Sequence, residues 1–403
     1  MSRLNEIILF LSIGSLHMAS FLVFGNKDSI VSVDNLFMIL GLIMVFTSNK
    51  FVNVKLTPVS KYVLNSVIVL IVVIPFFIFI KDNIIFGDSN IKLFSILRAI
   101  LRIYLIICFI KYLSFGLDEF KRGLNFIMLF GVIIVLSMLF VDFFISIGFK
   151  IRVFGDENDN VRIAGITDMN VNANGAMLAI LFGVCLKLQF FKIISSLSFF
   201  IYASFFVIGI FLSGSRTALG IAAVLYLLHM KGVLNTLSGK VILLNIFAFV
   251  FMIIIFSFFS SYTLSRIQEA SENNVGYGGL GYRITYWEMY IDDIRKNLIT
   301  LLSGNVARPT YGRSVHNFYI HTVFYSGLIF ITMAFRFLIK AYKLRKKHLK
   351  NNNLWSIDPL FILIPQLMFW MTGTENITWF AIIMLLSTGV FLKYKKSISE
   401  NVI

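Results

Sequence analysis

VILLNIFAFVFMIIIFSFFS at residues 241–260, followed by SYTLSRIQEASENNVGYGGLGYRITYWEMYIDDIRKNLITLLSGNVARPTYGRSVH at 261–316, decides the fold of this chain. The first stretch has no charged residue across the roughly 20 positions that a helix needs to cross a bilayer core. Its unbroken apolar character selects a helix, because a strand of a membrane barrel alternates apolar and polar residues. The second stretch is the longest polar interruption in an otherwise apolar sequence. It carries Arg266, Arg283, Arg295, Arg308, Arg313 and His316.

The rest of the chain repeats the first pattern. Hydrophobic residues make up 58% of it and charged residues 14%, with 44 Phe. Soluble domains carry about 25% charged residues, so this is the composition of an integral membrane protein. Apolar segments fall at about 6–24, 30–48, 62–80, 91–110, 124–148, 173–191, 195–212, 216–230, 241–260, 317–339, 357–372 and 376–392. The expected fold is all-α: one polytopic helical bundle of about twelve transmembrane helices spanning residues 1–403, with external loops at 149–172 and 261–316. The first segment reads as a retained helix, since no small-residue cleavage site follows it. Cys108 and Cys185 lie inside apolar segments, which predicts free, buried thiols rather than a disulfide framework.

Orientation follows from the basic residues. With both termini in the cytoplasm, 20 Lys and Arg fall inside and 13 outside. The net charge of +16 therefore divides by membrane side, and it does not point to nucleic acid. The kind of base also divides: 17 of the inner 20 are Lys, and 8 of the outer 13 are Arg. Any cation satisfies topology, whereas guanidinium forks match phosphate oxygens in a bidentate way. The alternative is ordinary anchoring at the interface.

Four places stand out for chemistry. In Ser213-Gly214-Ser215-Arg216-Thr217-Ala218-Leu219, Ser215 is a plausible N-cap, which places Arg216 in a first helical turn. A cation does nothing for helix stability there, and its presence makes sense if an anion docks at the N-terminus. The alternative is an Arg that snorkels to the interface. His316 and Asn317 sit where the long loop meets an apolar segment, beside Arg308 and Arg313. Neutral imidazole is the usual general base near pH 7; the alternative is a polar interfacial His with no chemical role. Arg98 and Arg102 lie four residues apart within a span, where burial costs several kcal/mol unless they face a wet cavity or a partner. Asp34 and Asp142 are their candidate partners. Arg162 and Asp168 precede the segment at 173–191, where Asp168 or a following Asn reads first as a helix cap and second as a catalytic group.

Within the long loop Ile284, Trp287, Ile291, Ile294 and Leu298 recur every three or four residues, the period of an amphipathic helix that lies on the membrane face or packs on the bundle. Zinc, P-loop, dinucleotide and nucleophile-elbow patterns are missing from the sequence.

The order of these pieces resembles the O-antigen polymerase and O-antigen ligase superfamily. The likeness rests on SGSRTAL at 213–219, then a long external loop containing GYRITYWEMYIDDIRKNLITLLSGN at 281–305, then HNFYIHTVFYSGLI at 316–329. Ser303-Gly304-Asn305 stands where the family pattern has two Gly residues flanking one position. The resemblance implies a GT-C-like fold in the bacterial inner membrane and metal-independent, inverting glycosyl transfer on the periplasmic face, with no cofactor. It implies an undecaprenyl-pyrophosphate-linked oligosaccharide as substrate, surrounding membrane lipids, and a chain-length regulator as accessory partner. By the same likeness Arg216 and Arg283 would hold the pyrophosphate, Arg308 or Arg313 would assist, and His316 would be the base. Polymerase and ligase differ only in acceptor, and the sequence is nearer to polymerases. A lipid-linked oligosaccharide flippase or other transporter is the rival from another class. Against it, most Arg are at the outer side rather than at mid-membrane.

Overall fold

A computed structural model of the chain describes residues 3–16, 33–47, 51, 54–87, 93–146, 171–234, 239, 280–295, 298–304, 317–349 and 379–400. The described residues are helical and include no strand. In chain order the helices are α1 (Arg3–Ser15), α2 (Val33–Thr47), α3 (Pro58–Ile68), α4 (Ile74–Phe86), α5 (Leu93–Leu113), α6 (Leu117–Ser146), α7 (Val171–Phe190), α8 (Ser196–Leu212), α9 (Arg216–Leu234), α10 (Leu280–Arg295), α11 (Leu298–Ser303), α12 (Phe318–Leu349) and α13 (Trp379–Glu400). Among the described residues, five stretches are long and apolar enough to cross a membrane: Pro58–Ile85, Leu93–Leu113, Leu117–Val141, Asn172–Phe190 and Tyr319–Lys347. The expected segments at 241–260 and 357–372 lie outside the described residues.

Local sequence explains where these helices start and bend. Thr57 caps α3 by accepting from the Ser60 amide at 3.3 Å, and Pro58 takes the first helical position, where its missing N–H costs nothing. A π-turn, Val69–Val73, joins α3 to α4 just ahead of Pro75. Proline lacks a donor for the carbonyl four residues back and crowds it, and a widened turn relieves that clash without ending the rod. Gly87, at φ 73°, closes α4 in the left-handed conformation.

The contacts between helices sort into two ends of the bundle. At one end of the bundle, the Tyr112 hydroxyl donates to the Glu6 carboxylate at 2.5 Å, and Arg122 pairs with the same carboxylate at 3.3 Å. Lys111 donates to the Phe51 carbonyl at 2.7 Å. Lys393 and Tyr394 both donate to the Ser114 carbonyl, at 2.8 and 2.9 Å. Ser60 donates to the Leu386 carbonyl at 2.7 Å, and Lys340 lies over the Tyr62 ring. This is the lysine-rich end. The opposite end gathers the N-termini of α5, α7, α9, α12 and α13 with the C-termini of α4, α6 and α8. There the Asn174 amide donates to the Met138 sulfur at 3.5 Å, and Lys81 donates to the Tyr325 carbonyl at 2.6 Å.

The core is layered around α7 and α13. α7 packs between α6, α8, α9 and α13, and α13 packs against α3, α5, α6 and α7. Small residues permit the close approach: a Cβ on Gly175 would run into Ser213 and Ala218, and one on Gly183 into Leu225. Cys108 and Cys185 are buried free thiols. Large apolar side chains remain exposed along α2 (Leu36, Ile39, Phe46) and the first half of α5 (Leu93, Leu97, Leu101). Contiguous exposure of this kind suits an apolar solvent rather than water.

Several boundaries differ from the sequence expectation. α12 runs to Leu349 instead of ending near 339, because the Lys- and Arg-rich continuation is a good helix former that an apolar criterion ignores. α12 also breaks at Gly327, whose φ of 75° and ψ of 177° interrupt an otherwise continuous helix.

Candidate functional site

At the end opposite the lysines, α9 begins as its sequence demands. The Ser215 hydroxyl accepts from the Ala218 amide at 3.3 Å, and the Ser213 hydroxyl accepts from the Ser215 amide at 3.3 Å. Both serines are buried. Arg216 is the first residue of the helix proper, which is the first-turn position anticipated for it.

The amphipathic helix of the long loop exists as α10, and Arg283 falls in its first turn. Its buried face is not quite the expected stripe. Tyr290 and Ile294 are buried, Trp287 and Ile291 are half-buried, and Ile284 is 41% exposed. The reason is one aromatic contact: the Tyr290 ring meets Phe324 of α12 edge-on at 4.7 Å, which turns the helix about its axis toward Tyr290. α10 therefore packs on the bundle over the first turns of α12, in a small core of its own with Ile320 and Leu301.

α12 starts with Asn317, which is 7% exposed. Its side-chain oxygen accepts from the amides of Tyr319 at 3.0 Å and Ile320 at 3.1 Å, so that oxygen is committed to capping. His321, one turn on, lies against the Tyr325 ring at 4.5 Å. Ser303-Gly304-Asn305, flagged for its departure from the family spacing, has a backbone role at Gly304. With φ at 85°, Gly304 ends α11 in the left-handed region, and a Cβ there would lie 2.7 Å from the Ser326 nitrogen.

Arg98 and Arg102 project from the first half of α5, about 8 and 14 Å along the axis from its first residue. Both are half-buried, with each Nε buried. The Arg102 guanidinium lies over the Trp379 ring, 5.5 Å from its centroid, at the first residue of α13.

Arg98, Arg102 and Asn317 and the backbone positions of Arg216 and Arg283 thus belong to the first halves of α5, α12, α9 and α10. For Arg216, Arg283, Asp34 and Asp142 the description stops at the backbone. Arg162, Asp168, Arg308, Arg313 and His316 lie outside the described residues. Sequence reasoning missed Lys81, whose signal was a cation six residues short of a helix-ending Gly. It also missed Trp379. Among the described residues, no group of His, Cys, Asp and Glu has the geometry to hold a metal ion. Comparison with protein-family models, with curated proteins and with solved structures finds no match for this chain.

Proposed function

We propose that this chain is a membrane glycosyltransferase of the O-antigen polymerase kind, a GT-C-like bundle of about twelve spans in a bacterial inner membrane. Its lysine-rich end and both termini face the cytoplasm. Its substrate is an oligosaccharide repeat carried on undecaprenyl pyrophosphate, and its acceptor is a second lipid-linked repeat.

The observation that carries this reading is a bias of cation type between the two ends of the helix bundle, with Arg122 and Lys81 as exceptions to it. Lys111, Lys340 and Lys393 mark one end, while Arg98, Arg102, the first residue of α9 and the first turn of α10 mark the other. An arginine-bearing end suits a diphosphate, and a capped N-terminus at Ser215 adds oriented amides to it.

In this mechanism Arg216 and Arg283 grip the diphosphate, with Arg308 and Arg313 assisting. Arg98, Arg102, Arg162, Asp168 and Asn317 line the path of the glycan and its head group. The acceptor hydroxyl attacks the anomeric carbon from the face opposite the diphosphate. The bond from that carbon to the diphosphate oxygen breaks, the acceptor proton passes to His316, and undecaprenyl pyrophosphate departs with inversion. Guanidinium groups fixed in advance around the leaving group supply much of the rate, because the charge they meet grows in the transition state. Holding both lipids at one membrane face supplies the rest.

The test is deletion of the gene followed by electrophoresis of the surface glycan. A polymerase null leaves single repeat units on the acceptor lipid. Unattached polymer would identify a ligase instead, and loss of even the first repeat would identify a flippase. An unchanged glycan ladder would sink all three.

A further inference from the structure

Two separate segments of the chain, the end of α11 and α4, converge on the main chain of α12 between Tyr325 and Gly327. Gly327 breaks the helix, and a Cβ on it would lie 2.6 Å from the Ser303 nitrogen. Gly304, next in the same segment, is equally close: a Cβ on it would crowd the Tyr325 carbonyl and the Ser326 nitrogen. The end of α11 therefore rests backbone to backbone in the kink, and only glycine on both partners allows it. The second segment is α4. Its Lys81 ammonium donates to the Tyr325 carbonyl at 2.6 Å.

The placement of Lys81 is unlike that of the other lysines which hold carbonyls. Lys111 and Lys393 bond to Phe51 and Ser114, outside the helix interiors at the lysine-rich end. Lys81 lies inside the Pro58–Ile85 span, about 8 Å from the end of α4, where a cation is costly and marks function by default. In an unbroken helix the carbonyl of residue 325 would take the amide four residues on. The non-helical turn at Gly327 falls between them, and the ammonium supplies that carbonyl with a charged donor. One turn earlier on α4, the Phe77 ring meets Phe330 of α12 at 4.8 Å, which holds the same face of α4 against α12 just below the kink.

We infer that Lys81 is a positioning residue, which holds the segment of α12 before the kink, residues 317–327, through the Tyr325 carbonyl. That segment carries the Asn317 cap, His321 and the Phe324 seat of α10. Lys81 thereby sets where the first turn of α12 and the α10 helix stand relative to α4. The glycan consequence rests on the polymerase reading; the structural consequence does not.

The experiment compares Lys81→Met, which keeps the stem and removes the donor, with Lys81→Arg, which keeps a donor. Each full-length protein is purified in detergent for amide hydrogen exchange and expressed in the deletion strain for glycan length. In Lys81→Met, exchange across residues 318–327 should rise about tenfold, as loss of one hydrogen bond to a charged group implies, while residues 330–341 are unchanged. Glycan length should fall with the amount of protein in the membrane unchanged, and Lys81→Arg should restore both. If Lys81→Met does not accumulate, Lys81→Gln, whose amide is too short to reach, is measured in its place. Unaltered exchange at 318–327, a rise shared equally by 330–341, or failure of Lys81→Arg to rescue would overturn the inference. A gene deletion with no effect on the glycan would refute the polymerase reading and leave the exchange result standing.

Discussion

The guanidinium of Arg102 lies 5.5 Å from the centre of the Trp379 ring, so an arginine in the middle of α5 is tied to the residue that opens α13. Such a contact contributes about 0.5–2 kcal/mol, more as water is excluded. Trp379→Leu should therefore lower stability in detergent by about 1 kcal/mol, and Trp379→Phe by less. Arg102→Lys separates two roles, because lysine still lies over a ring but lacks the planar fork. Thermal stability should hold in Arg102→Lys while polymer length falls; unchanged polymer would leave Arg102 with a packing role alone.

Arg216→Ala and Arg283→Ala should each abolish polymer while the protein still inserts. Arg216→Lys should remain poor, since a point charge does not replace bidentate contacts to a diphosphate. His316→Ala should lower polymer yield strongly. Quantified membrane fractions beside glycan ladders decide each case, and wild-type polymer in Arg216→Ala would remove that residue from the mechanism.

Three glycines should respond to alanine in graded fashion. Gly220 lies in α9 with open space around it, so Gly220→Ala should stabilise by about 0.5–1 kcal/mol through helix propensity. Gly87 also has open space but adopts φ 73°, so Gly87→Ala should cost about 1–2 kcal/mol, the conformational penalty alone. Gly327 adds to a φ of 75° a main-chain obstruction from Leu302 and Ser303. Its alanine variant should have the lowest melting temperature of the three, and a melting point equal to that of Gly87→Ala would contradict the backbone contact.

Asn317 can be tested for a part beyond capping. Asn317→Ala should cost about 1 kcal/mol of stability, and Asn317→Ser should cost little because serine also caps. If Asn317→Ser melts like the wild type yet shortens the polymer, the amide acts on substrate. If its polymer is normal, the cap is all that Asn317 supplies.

Much of this architecture was readable because membrane helices announce themselves by length and continuity. The segment expected at 195–212 appears as Ser196–Leu212, and the cap at Ser215 follows from a hydroxyl one residue before a first turn. Other features needed tertiary contacts. The extra turn at the start of α3 was signalled by Thr57 followed by Pro58, but a hydropathy criterion reads neither. The rotation of α10 toward Tyr290 depends on Phe324, which is distant in sequence. The kink at Gly327 lies in an apolar run where glycine is compatible with a straight helix, and only the approach of α11 makes the break necessary. The arginines were singled out by charge type and order, whereas Trp379 and Lys81 entered through their partners.

The enclosure of α7 has a consequence for sequence drift. Within its most apolar stretch 89% is buried inside the protein, against 39% for α5. A helix facing lipid can exchange one greasy side chain for another along its outer side and still dissolve in the bilayer. α7 has almost no such side, so its full circumference is constrained by neighbouring volume. A saturation library should show tolerance recurring once per turn along α5 and no such rhythm along α7, whose alanines and glycines should be the least replaceable letters in the span.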